Sequence, residues 1–411
     1  MIKVNLKSLR GLMRALLCAA VTVSWLGFAN AVEMPAQYSG KIPVPTLEAQ
    51  RDVAEGIPYT SFSENGTNLK SLINAINATE SSLDISIYHL TRADVVDALV
   101  SAANRGVKVR MILDHKHLIP NKEAPEDKGY QADSDIAAKL QKAGVTVKTM
   151  SGWGKYGTLH TKIAIFDKKI LYTGSMNWTD SNDTNYENVL FLADKNVLKT
   201  FQDYYNQLWS VSTAFAYGTT DPLPALPKDD MPKVKSVGRT DFNGLSLPTC
   251  TFSPKGGTAW WIMKAIDSAQ SSIDVAMFSF TNGEFIDHLS SAAARGVQVR
   301  LLLDKGQNCP SNQFSQIAKI KASKLKYRIV TGRGESGGEQ ARFHHKFAIF
   351  DNTLLSVGSY NWTMTGEWSS CEHQVFLTDE NYVKPFVEEF NKLYSNVPTA
   401  KCTGDAQDGA N

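Results

Sequence analysis

Cysteine is scarce in this 411-residue chain, and most of it lies in the second half. Of the five, Cys18 stands alone near the start, and Cys250, Cys309, Cys371 and Cys402 follow much later. That spacing excludes the paired knuckles of a zinc module. In an oxidising compartment the four later cysteines allow two disulfides by any of three pairings, and otherwise they read as buried thiols. A strong excess of one charge is also missing, with 43 basic residues against 41 acidic ones. This excludes a surface that holds nucleic acid by charge alone, although a local basic cleft is compatible with it. Beyond the first thirty residues no apolar run is long enough to span a bilayer. The glycine-rich run at 331–338 lacks the Gly-Lys-Ser/Thr ending of a P-loop. It reads instead as a rim leading into His344, with Arg333 or Arg342 as a candidate substrate contact.

The first 31 residues carry Lys3, Lys7, Arg10 and Arg14 and no acid, then an apolar stretch from about Ala15 to Phe28, then Ala29-Asn30-Ala31. This is the pattern of a cleaved secretory signal, and the apolar part is shorter than the roughly 20 residues of a spanning helix. Removing its four basic residues leaves 39 against 41 acidic ones, a mature charge of about −2. Export to the periplasm or the medium is the expectation.

What the chain does have is an internal repeat. Ser82-Leu-Asp-Ile-Ser-Ile-Tyr88 returns as Ser272-Ile-Asp-Val-Ala-Met-Phe278, and Ser101-Ala-Ala-Asn-Arg-Gly-Val-Lys-Val-Arg110 returns as Ser291-Ala-Ala-Ala-Arg-Gly-Val-Gln-Val-Arg300. Such duplication dictates two copies of one unit. Later matches sit closer together, so the first copy holds an insertion between Asp114 and His160. Within each copy strand and helix patterns alternate, which implies a mixed sheet covered by helices. The expected divisions are a signal peptide (1–31), an N-terminal segment (32–54), a first lobe (55–211), a proline-rich linker over the surface (212–247), a second lobe (248–395) and a tail (396–411).

Two segments carry chemistry: His160-Thr-Lys162-Ile-Ala-Ile-Phe-Asp167 and His344-His-Lys346-Phe-Ala-Ile-Phe-Asp351. Gly174-Ser175-Met-Asn177 and Gly358-Ser359-Tyr-Asn361 follow them, and Glu187 and Glu372 come further on. On a strand, positions i and i+2 share a face, so each histidine projects beside its lysine while Thr161 and His345 face the other way. Imidazole next to ammonium, twice over, makes an anion site. A phosphodiester needs a nucleophile, a proton donor for the leaving alkoxide and positive charge around its oxygens. One imidazole supplies the first, the other supplies the second, and the lysines supply the third. Ser175, Asn177, Ser359 and Asn361 are candidate hydrogen-bond donors to substrate, and Glu187 and Glu372 candidate partners for the second ring nitrogens. His345 reads as structural. Trp153 and Tyr156 are candidates for the cleft mouth or the core, and Trp260 and Trp261 read as core.

The paired HxKx4Dx6GSxN motifs resemble the phospholipase D superfamily across both halves of the chain, and the local sequence is similar to a fused dimer of small single-motif bacterial endonucleases. The resemblance implies two tandem α/β/α sandwich lobes about a pseudo-twofold axis, with one active site at their interface in a monomer. It implies catalysis by His160, Lys162, Asp167, His344, Lys346 and Asp351, with His160 as nucleophile and His344 as acid. No metal or other cofactor is expected, because the lysines carry the charge work. Phospholipid head-group hydrolysis to phosphatidic acid through a phospho-histidine is the leading expectation, favoured by export and by the acidic mature charge. Metal-independent cleavage of DNA or RNA is the alternative, and an inactive binding protein is a third.

Overall fold

The computed structural model describes residues 57–402 apart from 64–65, 122–128 and 337–338. The signal peptide, the 32–54 segment and the end of the tail lie outside the described residues. No helix among the described residues is long and apolar enough to cross a membrane.

The first lobe runs β1 (Thr60–Phe62), α1 (Thr67–Ala78), β2 (Ser82–Ile87), α2 (Ala93–Asn104), β3 (Lys108–Asp114), α3 (Gly129–Lys142), β4 (Thr146–Met150), β5 (Lys162–Phe166), β6 (Ile170–Gly174), β7 (Asn188–Leu192), α4 (Lys195–Val211) and β8 (Thr213–Ala214). Its sheet has the order β1-β7-β6-β5-β2-β3-β4-β8, with β2, β3 and β4 parallel and the other pairs antiparallel. A hairpin of β9 (Arg239–Phe242) and β10 (Leu245–Pro248) leads into the second lobe. There β11 (Cys250–Ser253), α5 (Thr258–Ser268), β12 (Ser272–Met277), α6 (Glu284–Ala294), β13 (Gln298–Asp304), β14 (Lys326–Val330), the small hairpin β15 (Glu335–Ser336) and β16 (Glu339–Gln340), β17 (Lys346–Phe350), β18 (Leu354–Gly358), β19 (Glu372–Leu377) and α7 (Glu380–Asn396) repeat the plan. The second sheet, β11-β19-β18-β17-β12-β13-β14, matches the first strand for strand without the edge strand β8. The mixed α/β class and the two tandem lobes are therefore as the sequence implies.

Side-chain alternation decides the layers. Leu83, Ile85 and Ile87 of β2 pack outward under α1 and α2, with Leu72, Ile76, Val95 and Leu99 closing that core. Ile163 and Ile165 of β5 face inward, into one core shared with Phe347 and Ile349 of β17. Between the sheets lie α4 and α7, each reaching the opposite lobe: Tyr204 stacks on Phe252 at 4.0 Å, and Phe386 meets Phe62 at 5.0 Å. Burying such side chains is worth about 1.5–3 kcal/mol each, so the lobes share one core and cannot be separated cheaply. The linker is less superficial than its composition suggests. Met231 is buried in the shared core, and Trp153 donates its indole N–H to the Pro227 carbonyl at 3.0 Å. Trp153 and Trp261 are core residues, whereas Tyr156 is exposed.

One disulfide forms rather than two: Cys309 pairs with Cys402, while Cys250 and Cys371 are buried thiols inside the shared core. The bridge ties the tail to the turn after β13 across 93 residues. Cys402→Ser is expected to lower unfolding free energy by about 2–4 kcal/mol, because a long loop is freed in the unfolded chain. Urea melts with and without reductant check this, since the reductant should affect only the parent protein.

Candidate active site

β5 begins with Lys162 opposite Ile87, at the carboxyl ends of the parallel strands β2, β3 and β4. That end is where open α/β sheets bind ligands. The segment before β5 does not stay within its own lobe. Leu159 forms a parallel bridge with Cys371, and the His160 amide donates to the Cys371 carbonyl at 3.0 Å. Symmetrically, Tyr186 bridges Phe343, and the His344 amide donates to the Tyr186 carbonyl at 3.0 Å. Each motif histidine is thereby laid beside the glutamate of the other lobe.

The result is a crossed pair of dyads. His160 Nδ1 lies 2.9 Å from Glu372 Oε2, and His344 Nδ1 lies 2.7 Å from Glu187 Oε1. A carboxylate at Nδ1 selects the tautomer that keeps the proton there and leaves Nε2 for chemistry. Each glutamate is held in turn by its own lobe: Ser175 Oγ donates to Glu187 at 2.6 Å, and Ser359 Oγ to Glu372 at 2.5 Å. The glycines before these serines have a steric reason. A Cβ at Gly174 would lie 2.2 Å from the Asn188 carbonyl, and one at Gly358 2.2 Å from the His373 carbonyl. Only glycine lets the two strands close at that point.

Lys162 and Lys346 are fully buried, donating to the carbonyls of His160 at 2.8 Å and His344 at 2.6 Å. Burial pushes both ammonium groups down to about 7, although Glu187 and Glu372 work the other way. Burial likewise pushes Glu187 up to about 7 and Glu372 up to about 8, opposed by the lysines. Burial beside Lys162 and Lys346 holds both His160 and His344 well below the usual imidazole range. Two desolvated ammonium groups beneath the motif histidines constitute a site prepared for an anion.

Other residues expected at the site are placed elsewhere. Asp167 and Asp351 sit at the far ends of β5 and β17 and do not reach the histidines. Asp167 accepts the amides of Glu80, Ser81 and Ser82, and Asp351 those of Gln270, Ser271 and Ser272. Five strand residues span about 16 Å, which separates motif aspartate from motif histidine. Both aspartates pin the turn before the first parallel strand, a structural duty in place of the catalytic one. Ser175 and Ser359 are fully buried and hold glutamates instead of touching substrate. Asn361 lines the cleft and accepts the Ser279 amide at 3.2 Å, while the buried Asn177 Oδ1 has no partner. Arg333 is engaged by first-lobe carbonyls, including Ser63 at 2.9 Å and Asp183 at 3.0 Å, so it straps the lobes together. His345 is buried and bonded to Asn188, as a structural histidine should be.

Four positioning residues escaped the motif reading. Asp114 accepts the Leu159 amide at 2.6 Å and Asp304 the Phe343 amide at 2.9 Å, fixing the residue just before each histidine. Tyr88 and Phe278 wall the site: Lys162 Nζ lies 4.9 Å from one ring and Lys346 Nζ 5.0 Å from the other. All four recur at the same offset in the repeat, a signal that could have found them.

A cavity of about 790 Å³ opens beside His160 and Glu372, lined on the second-lobe side by Phe278, Ser279, Gln307 and Asn361. Its rim carries Tyr156, Phe314 and Met364, all more than half exposed. Exposed large apolar groups gathered at one mouth mark a contact surface.

Both halves of the chain are similar to known proteins. The family model described as cardiolipin synthase, PLD-like domain, matches residues 72–209 and 262–394. The mitochondrial cardiolipin hydrolase of Chlamydomonas reinhardtii is 30% identical over 154 residues, 37% of this chain and 62% of that protein. Its mouse counterpart is 31% identical over 150 residues, 36% of this chain and 61% of that protein, so the chain spans about three-fifths of these curated relatives. A phospholipase D of Rickettsia conorii is 31% identical over 165 residues, 40% of this chain and 78% of the relative. Among solved structures, a phosphatidylserine synthase of Haemophilus influenzae superposes with a TM-score of 0.60 at 11% identity, covering 84% of this chain and 88% of that one. This last likeness speaks to the fold alone.

Proposed function

The chain belongs to the phospholipase D-like family, and on that footing we propose that it is an exported phosphodiesterase that hydrolyses phospholipid head groups to phosphatidic acid through a phospho-histidine. The observation that carries the chemistry is the crossed pair of His–Glu dyads over two buried lysines. In the first step His160 Nε2 attacks phosphorus, and the bond to the head-group oxygen breaks. His344, which takes up a proton at Nε2 once the bound phosphodiester anion offsets the burial and lysine charges that hold it neutral in the free enzyme, gives that proton to the head-group oxygen, and the head-group alcohol leaves. In the second step His344 takes a proton from water, whose oxygen displaces the imidazole and releases the phosphomonoester. Lys162 and Lys346 balance charge on the non-bridging oxygens throughout, which needs no metal at phosphorus. His160 is the nucleophile of choice because it is the histidine that lines the cavity.

The lipid reading rests on the apolar rim of Tyr156, Phe314 and Met364, which suits a membrane surface, and on the names of the two kinds of relative. The testing experiment is head-group release from mixed phospholipid vesicles by the purified protein. Release that disappears in His160→Ala is the expected result. No release from folded protein would overturn the lipid reading, and DNA and RNA would then be the next substrates.

The lysines also predict a pH profile. In free enzyme they lose their protons as pH rises through about 7, so kcat/KM should fall on that alkaline limb. A bound phosphodiester anion favours the protonated ammonium, so the limb in kcat should lie at higher pH. Glu187, Glu372, Asp114 and Asp304 act on the lysines in the same sense, and His160, His344 and Arg342 are the neighbouring basic groups. Coincident limbs in kcat and kcat/KM would refute the assignment to the lysines.

A further inference from the structure

The cavity beside the dyads is built mostly from one lobe. Its wall comes from the turns that follow β12, β13 and β18, all in the lobe that supplies His344. Phe278 stands in that wall and packs against His344, with ring centroids 4.7 Å apart. The first lobe is built differently at the matching place. Ser279 and Gln307 of the wall correspond, at the 190-residue offset, to His89 and His117. Those two imidazoles stack on each other at 3.9 Å, and Tyr88 packs against His117 at 4.5 Å.

The asymmetry says which part of the substrate the cavity meets. In the reaction described above His344 protonates the leaving oxygen, and nucleophile and leaving group stand on opposite sides of phosphorus. The leaving head group is therefore on the side away from His160, against the second-lobe wall. What that wall offers selects the head group.

The wall offers amides and hydroxyls. The hydrogen bonds of Ser279 and Gln307 run through their backbones, so the Ser279 hydroxyl and the Gln307 amide have no partner among the described residues. Asn361 spends its Oδ1 on the Ser279 amide and leaves its Nδ2 donors for a ligand. Amide and hydroxyl groups between them donate and accept, which matches the hydroxyls of a polyol in either sense. A charged head group finds no counter-charge there. The carboxylate in the lining is Glu372, already committed to His160 and Ser359. No lysine or arginine is among the described lining residues, so a second anion would go unanswered. An aromatic cage for a quaternary ammonium would need Phe278 and Tyr156. Lys346 Nζ lies 5.0 Å from the first ring and Lys155 Nζ 5.1 Å from the second, so a further cation would meet positive charge at both.

We propose that this cavity receives the leaving head group and selects an uncharged polyhydroxy one, of the glycerol or inositol kind, over head groups that carry an amine, a quaternary ammonium or a second anion. The inference rests on the phosphodiesterase reading above and adds the class of leaving group. The bond between phosphorus and the polyol oxygen breaks, and that oxygen keeps the electron pair and takes the proton from His344. Water supplies the replacing oxygen in the second step. Ser279, Gln307 and Asn361 hold the polyol's other hydroxyls.

The first arm of the test reads binding without turnover. The full chain carrying His160→Ala is titrated calorimetrically with glycerophosphoinositol, glycerophosphoglycerol, glycerophosphoethanolamine and glycerophosphocholine. The two polyol compounds should bind at least about 10-fold more tightly, because the wall groups pair with hydroxyls that the amines lack. Gln307→Leu added to that background should weaken the polyol compounds about 10-fold and the choline compound much less. If that variant fails to fold, Ser279→Ala is a smaller change with the same expectation. Amine compounds bound as tightly as the polyol ones, or a loss shared equally by all four, would overturn the inference.

The second arm follows head-group release by the parent protein from non-ionic detergent micelles. Each micelle carries one guest: phosphatidylinositol, phosphatidylglycerol, phosphatidylethanolamine, phosphatidylcholine or cardiolipin. The first two should show kcat/KM at least about 10-fold above the rest. Preference for an amine guest or for cardiolipin would overturn the selection while leaving the phospholipid reading in place. No release from any guest, with the binding order intact, would instead sink the phospholipid reading and leave the cavity's polyol preference standing.

Discussion

His160→Ala and His344→Ala are each expected to cut turnover of a natural phosphodiester by about 10⁴-fold or more, since each removes a whole catalytic role. An activated substrate with a nitrophenolate leaving group should separate the two. That leaving group departs without a proton, so His344→Ala can still complete the first step. It should release one equivalent of nitrophenol in a burst and then stall, because no base remains to activate water. Acid-labile phosphate should accumulate on the protein. His160→Ala should show no burst and no label, having lost the atom that attacks. The opposite pattern, with the burst in His160→Ala, would exchange the roles of the two histidines. A burst in both would mean that either histidine can attack phosphorus, and a burst and label in neither would count against the covalent mechanism. His344 is the deeper of the two, with its side chain 4% exposed against 13% for His160, so circular dichroism of both variants belongs in the experiment.

Much of this site could be read before any coordinates. Spacing i, i+2 placed each lysine beside its histidine, and the alternation holds: Lys162, Ala164 and Phe166 share one face of β5, while Thr161 faces Ser86 at 2.6 Å on the other. The duplication dictated two matching sheets. The same geometry also contained a warning about Asp167 and Asp351. Residues seven apart along a strand cannot share a pocket, and both aspartates anchor the opposite end. The disulfide pairing was not legible, since four cysteines allow three connectivities and two of the four remained thiols. Which glutamate serves which histidine was equally hidden. It depends on the parallel bridges between lobes, a contact at separations of 212 and 157 residues for which local spacing has no signal.

That crossing leads to the second large effect. Glu372 belongs to the second lobe but holds His160 of the first, and Glu187 of the first lobe holds His344 of the second. Replacing either carboxylate by an amide keeps its size and loses the charge that fixes the imidazole tautomer. Such a change is expected to cost about 10²–10⁴-fold in kcat, the scale of losing an orienting carboxylate behind a catalytic histidine. The diagnostic is which phenotype each variant copies. Glu372→Gln should resemble His160→Ala, with the burst and the label both reduced. Glu187→Gln should resemble His344→Ala, with an intact burst and slow breakdown of the phospho-protein. Double variants sharpen the comparison. His160→Ala combined with Glu372→Gln should be little worse than His160→Ala alone, because a partner already lost cannot be lost twice. His160→Ala combined with Glu187→Gln joins residues from different dyads and should show less of that saturation. If each glutamate instead copied the histidine of its own lobe, the interlobe pairing would be wrong. If the crossed pattern holds, neither lobe contains a complete dyad, and the single chain needs both halves for either chemical step.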